Sequence, residues 1–389
     1  MNYQFPEIRH ISDVLPHIEG RSEFVVAERE GYTVINYVVA MADTFDMYPA
    51  GYDGPLSTYD LGGAMRRECR GLIFDRAGNI MSRPFHKFFN INEREETQAH
   101  CVDISQPHVI MEKMDGSMIR PIFVDGHLRL ATKMGVTEVA MQAETWLAAQ
   151  DPMLKQWMAI MMAQGITPIF EWVSPFNQIV LAYETADLVL LALRNNITGE
   201  YLDVGDPKDD KLWTVVPQYG SVAGNLADYI ARQRGAEGRE GDIIRFADGH
   251  MLKIKNDWYV RIHKTMDKIR YDRHIVELIL NEEVDDAIPM LPQHEADRVR
   301  EFERRFAERL HSLVESYERY YNTVVASGLD RKRYAQEWMP TIKNNDSFAP
   351  NYVFGRFGDR EGRKMIIDHI EKHTSTNTRW EECARWMGM

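Results

Sequence analysis

The chain has 389 residues, of which 44% are hydrophobic and 27% charged, and its net charge is −13. That length favours two domains over one, and the composition belongs to a folded protein rather than a disordered one. The acidity lies in residues 1–260, while 261–389 is close to neutral. A broad non-specific nucleic-acid coat is therefore excluded, and a local basic groove is not.

No membrane span is expected, because the longest aliphatic run is Leu188 to Leu193. The stretch Met1 to Glu7 lacks the pattern of a secretory signal. Cys69, Cys101 and Cys383 form no CxxC pair, so neither a zinc site nor a disulfide framework is implied. The expected compartment is the cytoplasm.

Residues from about 20 to 260 mostly alternate like half-buried strands. Phe24 to Val26, Gly71 to Phe74, Val109 to Val124, Thr167 to Val173, Leu188 to Leu193, Asp242 to Phe246 and His250 to Lys255 carry the pattern. Turns are expected at Ala77-Gly78-Asn79, Asp125-Gly126, Thr198-Gly199 and Asp248-Gly249. A helix is expected over Thr137 to Gln164, broken near Pro152, and 206–240 reads as loops around a short helix. After Lys255 the periodicity turns helical over Trp258 to Leu280, Gln293 to Ala326, Arg331 to Trp338 and Arg360 to His373. A tail is expected from about Thr374, docked by Trp380 and Trp386. The fold class is α+β: a domain of antiparallel sheets with flanking helices over 1–262, then an all-helical domain over 263–389.

Chemistry gathers along the first domain. Tyr37, in Val34-Ile35-Asn36-Tyr37, is either packing or a ligand contact. Arg70 and Lys87 sit among apolar and aromatic residues, which suits a triphosphate clamp or equally edge-strand charge. Glu112-Lys113-Met114-Asp115-Gly116-Ser117 lies inside an extended apolar stretch. A strand-borne Lys113 reads as a nucleophile for a nucleotide α-phosphate, provided nearby cations or desolvation let it shed its proton. Asp115 shares its strand face, and Gly116 gives a ligand close access to the backbone. Lys133 is a further candidate cation. Glu171, within Phe170-Glu171-Trp172, is either on a solvent face or a ribose or metal contact.

With a two-residue loop at Asp248-Gly249, Ala247 faces His250, Ile244 faces Lys253 and Asp242 faces Lys255. Glu240, Asp242, Lys253 and Lys255 then share one face, as an α-phosphate and metal site or as a solvated ion-pair ladder. Trp258 reads as core, and Tyr259 as core or a phosphate contact.

Taken in order, Glu68-Cys69-Arg70-Gly71, Lys87-Phe88-Phe89-Asn90, Lys113-x-Asp115-Gly116, Ile179 to Tyr183, Thr198 to Tyr201, Glu240-Gly241 and Lys253 to Val260 resemble the bacteriophage T4 RNA ligase 1 family, over roughly 30–265. The resemblance implies an ATP-dependent RNA ligase that works through lysyl-AMP and an adenylylated RNA 5′ end, with Mg2+ or Mn2+. It makes Lys113 the nucleophile and Tyr37, Arg70 and Lys87 triphosphate contacts. Asp115 and Gly116 complete the nucleophile motif, Glu171 is the ribose-side carboxylate and Glu240 the metal-side one. Lys253 and Lys255 hold the α-phosphate, with Tyr259 beside them and Lys133 in support.

The implied partner is RNA with 5′-phosphate and 3′-hydroxyl ends, with tRNA suggested by the helical domain. An end-healing kinase/phosphatase would cooperate. The enzyme is expected to be a monomer, in the host cytoplasm if phage-encoded. Met114, Trp172 and a longer segment around Asp46 to Gly63 depart from the pattern. A DNA ligase, a capping guanylyltransferase and a non-catalytic RNA-binding protein are the alternatives. The helical periodicity after Lys255 disfavours the first two, which usually continue into an OB barrel. A P-loop is absent.

Overall fold

The computed structural model describes residues 3–47, 60–204, 212–339 and 348–389. Most of the segment expected to be long, Asp46 to Gly63, and part of the loop region 206–240 lie outside the described residues. The chain divides into two compact units, Met1–Val260 and Arg261–Met389.

In the first unit the strands are β1 Phe24–Arg29, β2 Tyr32–Tyr37, β3 Arg70–Asp75, β4 Ile80–Ser82, β5 Phe89–Asn90, β6 His108–Glu112 and β7 Ser117–Val124. They continue as β8 His127–Ala131, β9 Ile166–Val173, β10 Asp187–Asn195, β11 Tyr201–Leu202, β12 Gly241–Phe246 and β13 Met251–Lys255. The helices are α1 Leu61–Glu68, α2 Glu138–Ala148, α3 Pro152–Ala163 and α4 Leu226–Arg234, and α5 Asp257–Ile269 follows β13.

Three sheets form, in the orders β1-β2-β3-β4, β11-β10-β9-β7-β8 and β5-β13-β12-β6. Every neighbouring pair is antiparallel except β13 with β5. Strand alternation sorts side chains into layers. Phe170 and Trp172 of β9 pack with Ala140, Leu147 and Met158 of α2 and α3. Ile169 and Val173, on the other face of β9, meet Met111, Ile243 and Met251 of the β6-β12-β13 sheet. Ile244, Leu252 and Ile254 cover that sheet's far face with Leu226 and Ile230 of α4. Glu171 shares the inter-sheet face with Ile169 and Val173.

The extended stretch from Val109 to Val124 is two strands in different sheets, with Lys113 to Gly116 as the crossing. The Asp125-Gly126 loop has two residues, both at positive φ (50° and 78°), so Val124 pairs with His127. The 137–164 helix breaks where expected: the Asp151 side chain accepts from the Met153 N–H and Pro152 occupies the first turn of α3.

The β12–β13 register differs from expectation by one residue. Asp242 pairs with Ile254, Ile243 with Lys253 and Gly241 with Lys255. The turn holds three residues, not two, because the Phe246 N–H donates to His250 O and the Gly249 N–H to Phe246 O. A one-residue slip flips a strand's faces. Asp242 therefore leaves the lysine face and accepts from Tyr229 Oη at 2.5 Å, with Arg239 beside it.

The described residues of the second unit hold helices and no strand. They are α6 Asp272–Leu280, α7 Val284–Ala287, α8 Gln293–Ala326, α9 Arg331–Arg333, α10 Ala349–Arg356, α11 Gly362–His373 and α12 Asn377–Met387. Phe306, Leu310 and Tyr317 of α8 pack against Tyr352, Ile366, Ile370 and Trp380. Residues after Thr374 dock as expected, in the form of a helix: Thr376 caps α12, Trp380, Cys383 and Met387 are buried, and Trp386 packs against the same core.

A fully buried ion-pair triad ties the first sheet to the second. Glu68 accepts from Arg83 Nε at 3.0 Å and from Arg194 Nη2 at 2.8 Å. Arg83 also donates to the carbonyls of Pro6 and Ile197. Burial opposes the Glu68 charge, but Arg194 and Arg83 outweigh it and hold its carboxyl below the usual range. Replacing Glu68 by Gln leaves two buried guanidiniums without a counter-charge. Urea unfolding should show a loss of about 3–5 kcal/mol. A loss under about 1 kcal/mol would mean the triad does not anchor the sheets.

Candidate active site

Lys113 lies in the crossing just beyond β6, not within a strand. Its N–H still donates to Gly241 O at 2.9 Å, which extends the ladder by one residue. Its Nζ is 2.7 Å from Glu240 Oε1, and Lys255 Nζ is 2.9 Å from the same oxygen.

Glu240 precedes β12 and escapes strand alternation. Gly241, at φ +147°, turns the chain there, and a Cβ on it would sit 2.0 Å from Ile254 O. Only glycine fits that approach. The buried Glu240 carboxylate thus joins the lysine face that the expected register had assigned by strand pairing.

Lys253 follows on the same face of β13, its Nζ 5.4 Å from the Phe88 ring centre. Burial pushes its pKa down to about 7, and the charges of Arg70, Lys87 and Lys113 act in the same direction. Glu171 reaches in from β9 and accepts from the Gly116 N–H at 3.1 Å. Burial raises its carboxyl to about 8; Lys113 opposes the rise and Glu240 adds to it.

Lys87 sits in an aromatic cage, 5.4, 5.3 and 5.1 Å from the ring centres of Tyr37, Phe45 and Phe89. Lys133 Nζ is 5.6 Å from the Tyr37 ring, so that ring serves both cations. Arg70 opens β3 and stacks 5.6 Å from Phe88.

Three expected ligand contacts also have structural work. The buried Asp115 carboxylate accepts from the N–H groups of Val180 (2.8 Å) and Leu181 (2.7 Å) and from the Tyr259 hydroxyl (2.6 Å). Burial, then Glu240, raise the Tyr259 pKa and keep the phenol a donor. Asp115 and Tyr259 thus fix the crossing. Gly116 is required by protein packing, since a Cβ there would lie 2.3 Å from Trp172 O. Sequence reasoning placed Tyr183 in a motif but gave it no role; its hydroxyl accepts from the Asp115 N–H at 3.1 Å. That reasoning missed Tyr219, which donates to Glu112 Oε2 at 2.5 Å. Both are long-range contacts without local signal.

These elements enclose a cavity of about 630 Å3. Arg70, Lys113, Lys133, Lys253, Lys255 and Glu171 line it, and Phe85, Phe88, Met114, Met118, Met134 and Leu191 give it an apolar side. The Tyr37 ring links the lining residue Lys133 to Lys87, Glu240 pairs with the lining residues Lys113 and Lys255, and Tyr259 bonds Asp115. A larger cavity, about 970 Å3, holds Arg245 as its one Arg or Lys and none of these residues.

An apolar slot beside convergent cations fits a nucleotide, and an amine at its mouth can accept a nucleotidyl group. A family model described as RNA ligase matches residues 68–259. A protein of Thermovibrio ammonificans named as an RNA ligase is 30% identical over 285 residues, covering 71% of this chain and 70% of its own length. The chain belongs to the RNA ligase family. A bifunctional polynucleotide kinase/RNA ligase of Autographa californica nuclear polyhedrosis virus is 28% identical over 245 residues, or 58% of this chain and 35% of the viral protein. RNA ligase 1 of bacteriophage TS2126 is 31% identical over 156 residues, 38% of this chain and 39% of its own.

An anion in the cavity restores the charged form of Lys253. In the Lys113→Ala protein, which cannot form a covalent adduct, ATP binding at pH 8 should take up a proton, and affinity should fall as pH rises above about 7. Calorimetry in buffers of different ionisation enthalpy measures the uptake. Lys253→Arg should diminish it, leaving the share of Glu171, whose carboxyl is raised to about 8 in the same cavity; undiminished uptake would place the titrating group elsewhere.

Proposed function

We propose that the protein is an ATP-dependent RNA ligase with Lys113 as nucleophile. Lys113 Nζ attacks the α-phosphorus of ATP, an N–P bond forms and diphosphate leaves. The 5′-phosphate of an RNA strand then displaces the lysine and becomes an adenylylated end. A 3′-hydroxyl attacks that end, a phosphodiester forms and AMP leaves. The observation that carries this is the amine of Lys113 held at 2.7 Å by Glu240 at the mouth of a cation-lined cavity.

Arg70, Lys87 and Lys133, with Tyr37, are assigned to the β- and γ-phosphates, and Lys253 and Lys255 to the α-phosphate. The apolar side takes the base, and Glu171 the ribose. Among the described residues no three His, Cys, Asp or Glu side chains group as a metal cage. Magnesium needs no such cage: one or two carboxylates with substrate phosphates suffice, and Glu240 is assigned that place. A bound Mg2+ or Mn2+ would neutralise phosphate charge there.

The substrate class assigned is RNA with 5′-phosphate and 3′-hydroxyl ends, tRNA among them. The viral relative's name, which pairs a kinase with a ligase, supports cooperation with an end-healing enzyme. No helix among the described residues is long and apolar enough to cross a membrane. Cys69 and Cys383 are buried free thiols, which suits a reducing cytoplasm, and a monomer is the assigned state.

Lys113→Ala should abolish ATP-dependent ligation yet seal pre-adenylylated RNA at a rate only mildly reduced. Glu240→Ala and Lys253→Ala should impair both reactions, because phosphate must be held throughout. Gel assays with the two substrates measure this. Equal and complete loss in both for Lys113→Ala would require a role for the amine beyond accepting AMP.

A further inference from the structure

Arg120 lies on β7, fully buried. Nothing in the assigned chemistry uses it, and no carboxylate pairs with it among the described residues. Burial lowers its pKa, and the charge of Arg70 acts the same way. An unpaired buried cation is costly unless every donor is satisfied or an anion comes near. Its three nitrogens reach three segments. Nε donates to Ser82 Oγ at 3.0 Å, Nη1 to Thr132 O at 3.2 Å and Nη2 to Gly71 O. Gly71 follows Arg70, and Thr132 precedes Lys133.

The two segments touch directly. A Cβ on Gly71, which has φ +101°, would lie 2.7 Å from both Lys133 Cα and Lys133 O. Thr132 and Gly135 exchange backbone bonds of 2.9 and 3.0 Å, closing a tight turn that presents Lys133. The planar guanidinium bridges both carbonyls at once, which a lysine ammonium on a flexible stem cannot reproduce.

We propose that Arg120 is a positioning residue for nucleotide transfer, fixing the separation of Arg70 and Lys133 by bridging the carbonyls of Gly71 and Thr132. It rests on the assignment of those two cations to the β- and γ-phosphates. Those phosphates are present only while Lys113 is being adenylylated, so the effect of Arg120 belongs to that step. A shift of about 1 Å in such a clamp can cost on the order of a hundredfold in rate.

The test uses the full chain with Arg120→Lys, comparing lysine adenylylation across ATP concentrations, sealing of pre-adenylylated RNA, and thermal unfolding. The expected result is a KM for ATP raised roughly tenfold or more, with sealing within about threefold of the parent. Gly71→Ala, which pushes Lys133 away from the same contact, should give the same selective defect. Equal losses in both reactions, an unchanged KM, or failure of both variants to fold would overturn the proposal in favour of a purely structural arginine. If the parent itself takes no adenylate but seals pre-adenylylated RNA, the ATP assignment fails instead.

Discussion

Cation crowding is the constraint on which the rest of the site depends. Arg70, Lys87 and Lys113 lie close enough to Lys253 to lower its pKa, and Lys255 shares the single oxygen of Glu240 with Lys113. Free side chains would move apart in water. Here they are held by three sheets whose positions owe nothing to the ligand: the Glu68–Arg83–Arg194 triad joins two of them, and the inter-sheet core of Ile169, Val189, Ile243 and Met251 joins the other pair. The scaffold carries the repulsion, so an incoming triphosphate gains the whole attraction.

The two acidic residues have different tasks in this field. Glu240, turned inward by Gly241, balances two lysines. Glu171, on a strand face shared with aliphatic neighbours, is pushed up to about 8 by its burial. An apolar layer ending in charges is what two packed sheets produce at their rim, where alternation still points side chains inward but no core remains to meet them.

The candidate nucleophile was legible because Lys113, Asp115 and Gly116 lie within four residues, and the order of further motifs along the chain supplied the rest. Their meaning was less legible. Asp115, expected as a ligand contact, also holds the Val180–Leu181 backbone, a partner over sixty residues away. The β12–β13 register turned on whether the loop contains two residues or three, which Asp248-Gly249 does not encode. Glu240 was reached through the wrong pairing and is placed by the conformation of Gly241. Arg120 carries no signal of its own in the sequence; its donors are taken by Ser82, Gly71 and Thr132. The helical second unit was legible from periodicity, whereas α12 was obscured by its polar composition and rests on three buried side chains, Trp380, Cys383 and Met387.

The most direct measurement is intact-protein mass spectrometry after exposure to ATP and magnesium, followed by peptide mapping. The account predicts one adenylate per chain, carried by Lys113. An adduct on another residue, or none at any pH or metal concentration, would contradict it.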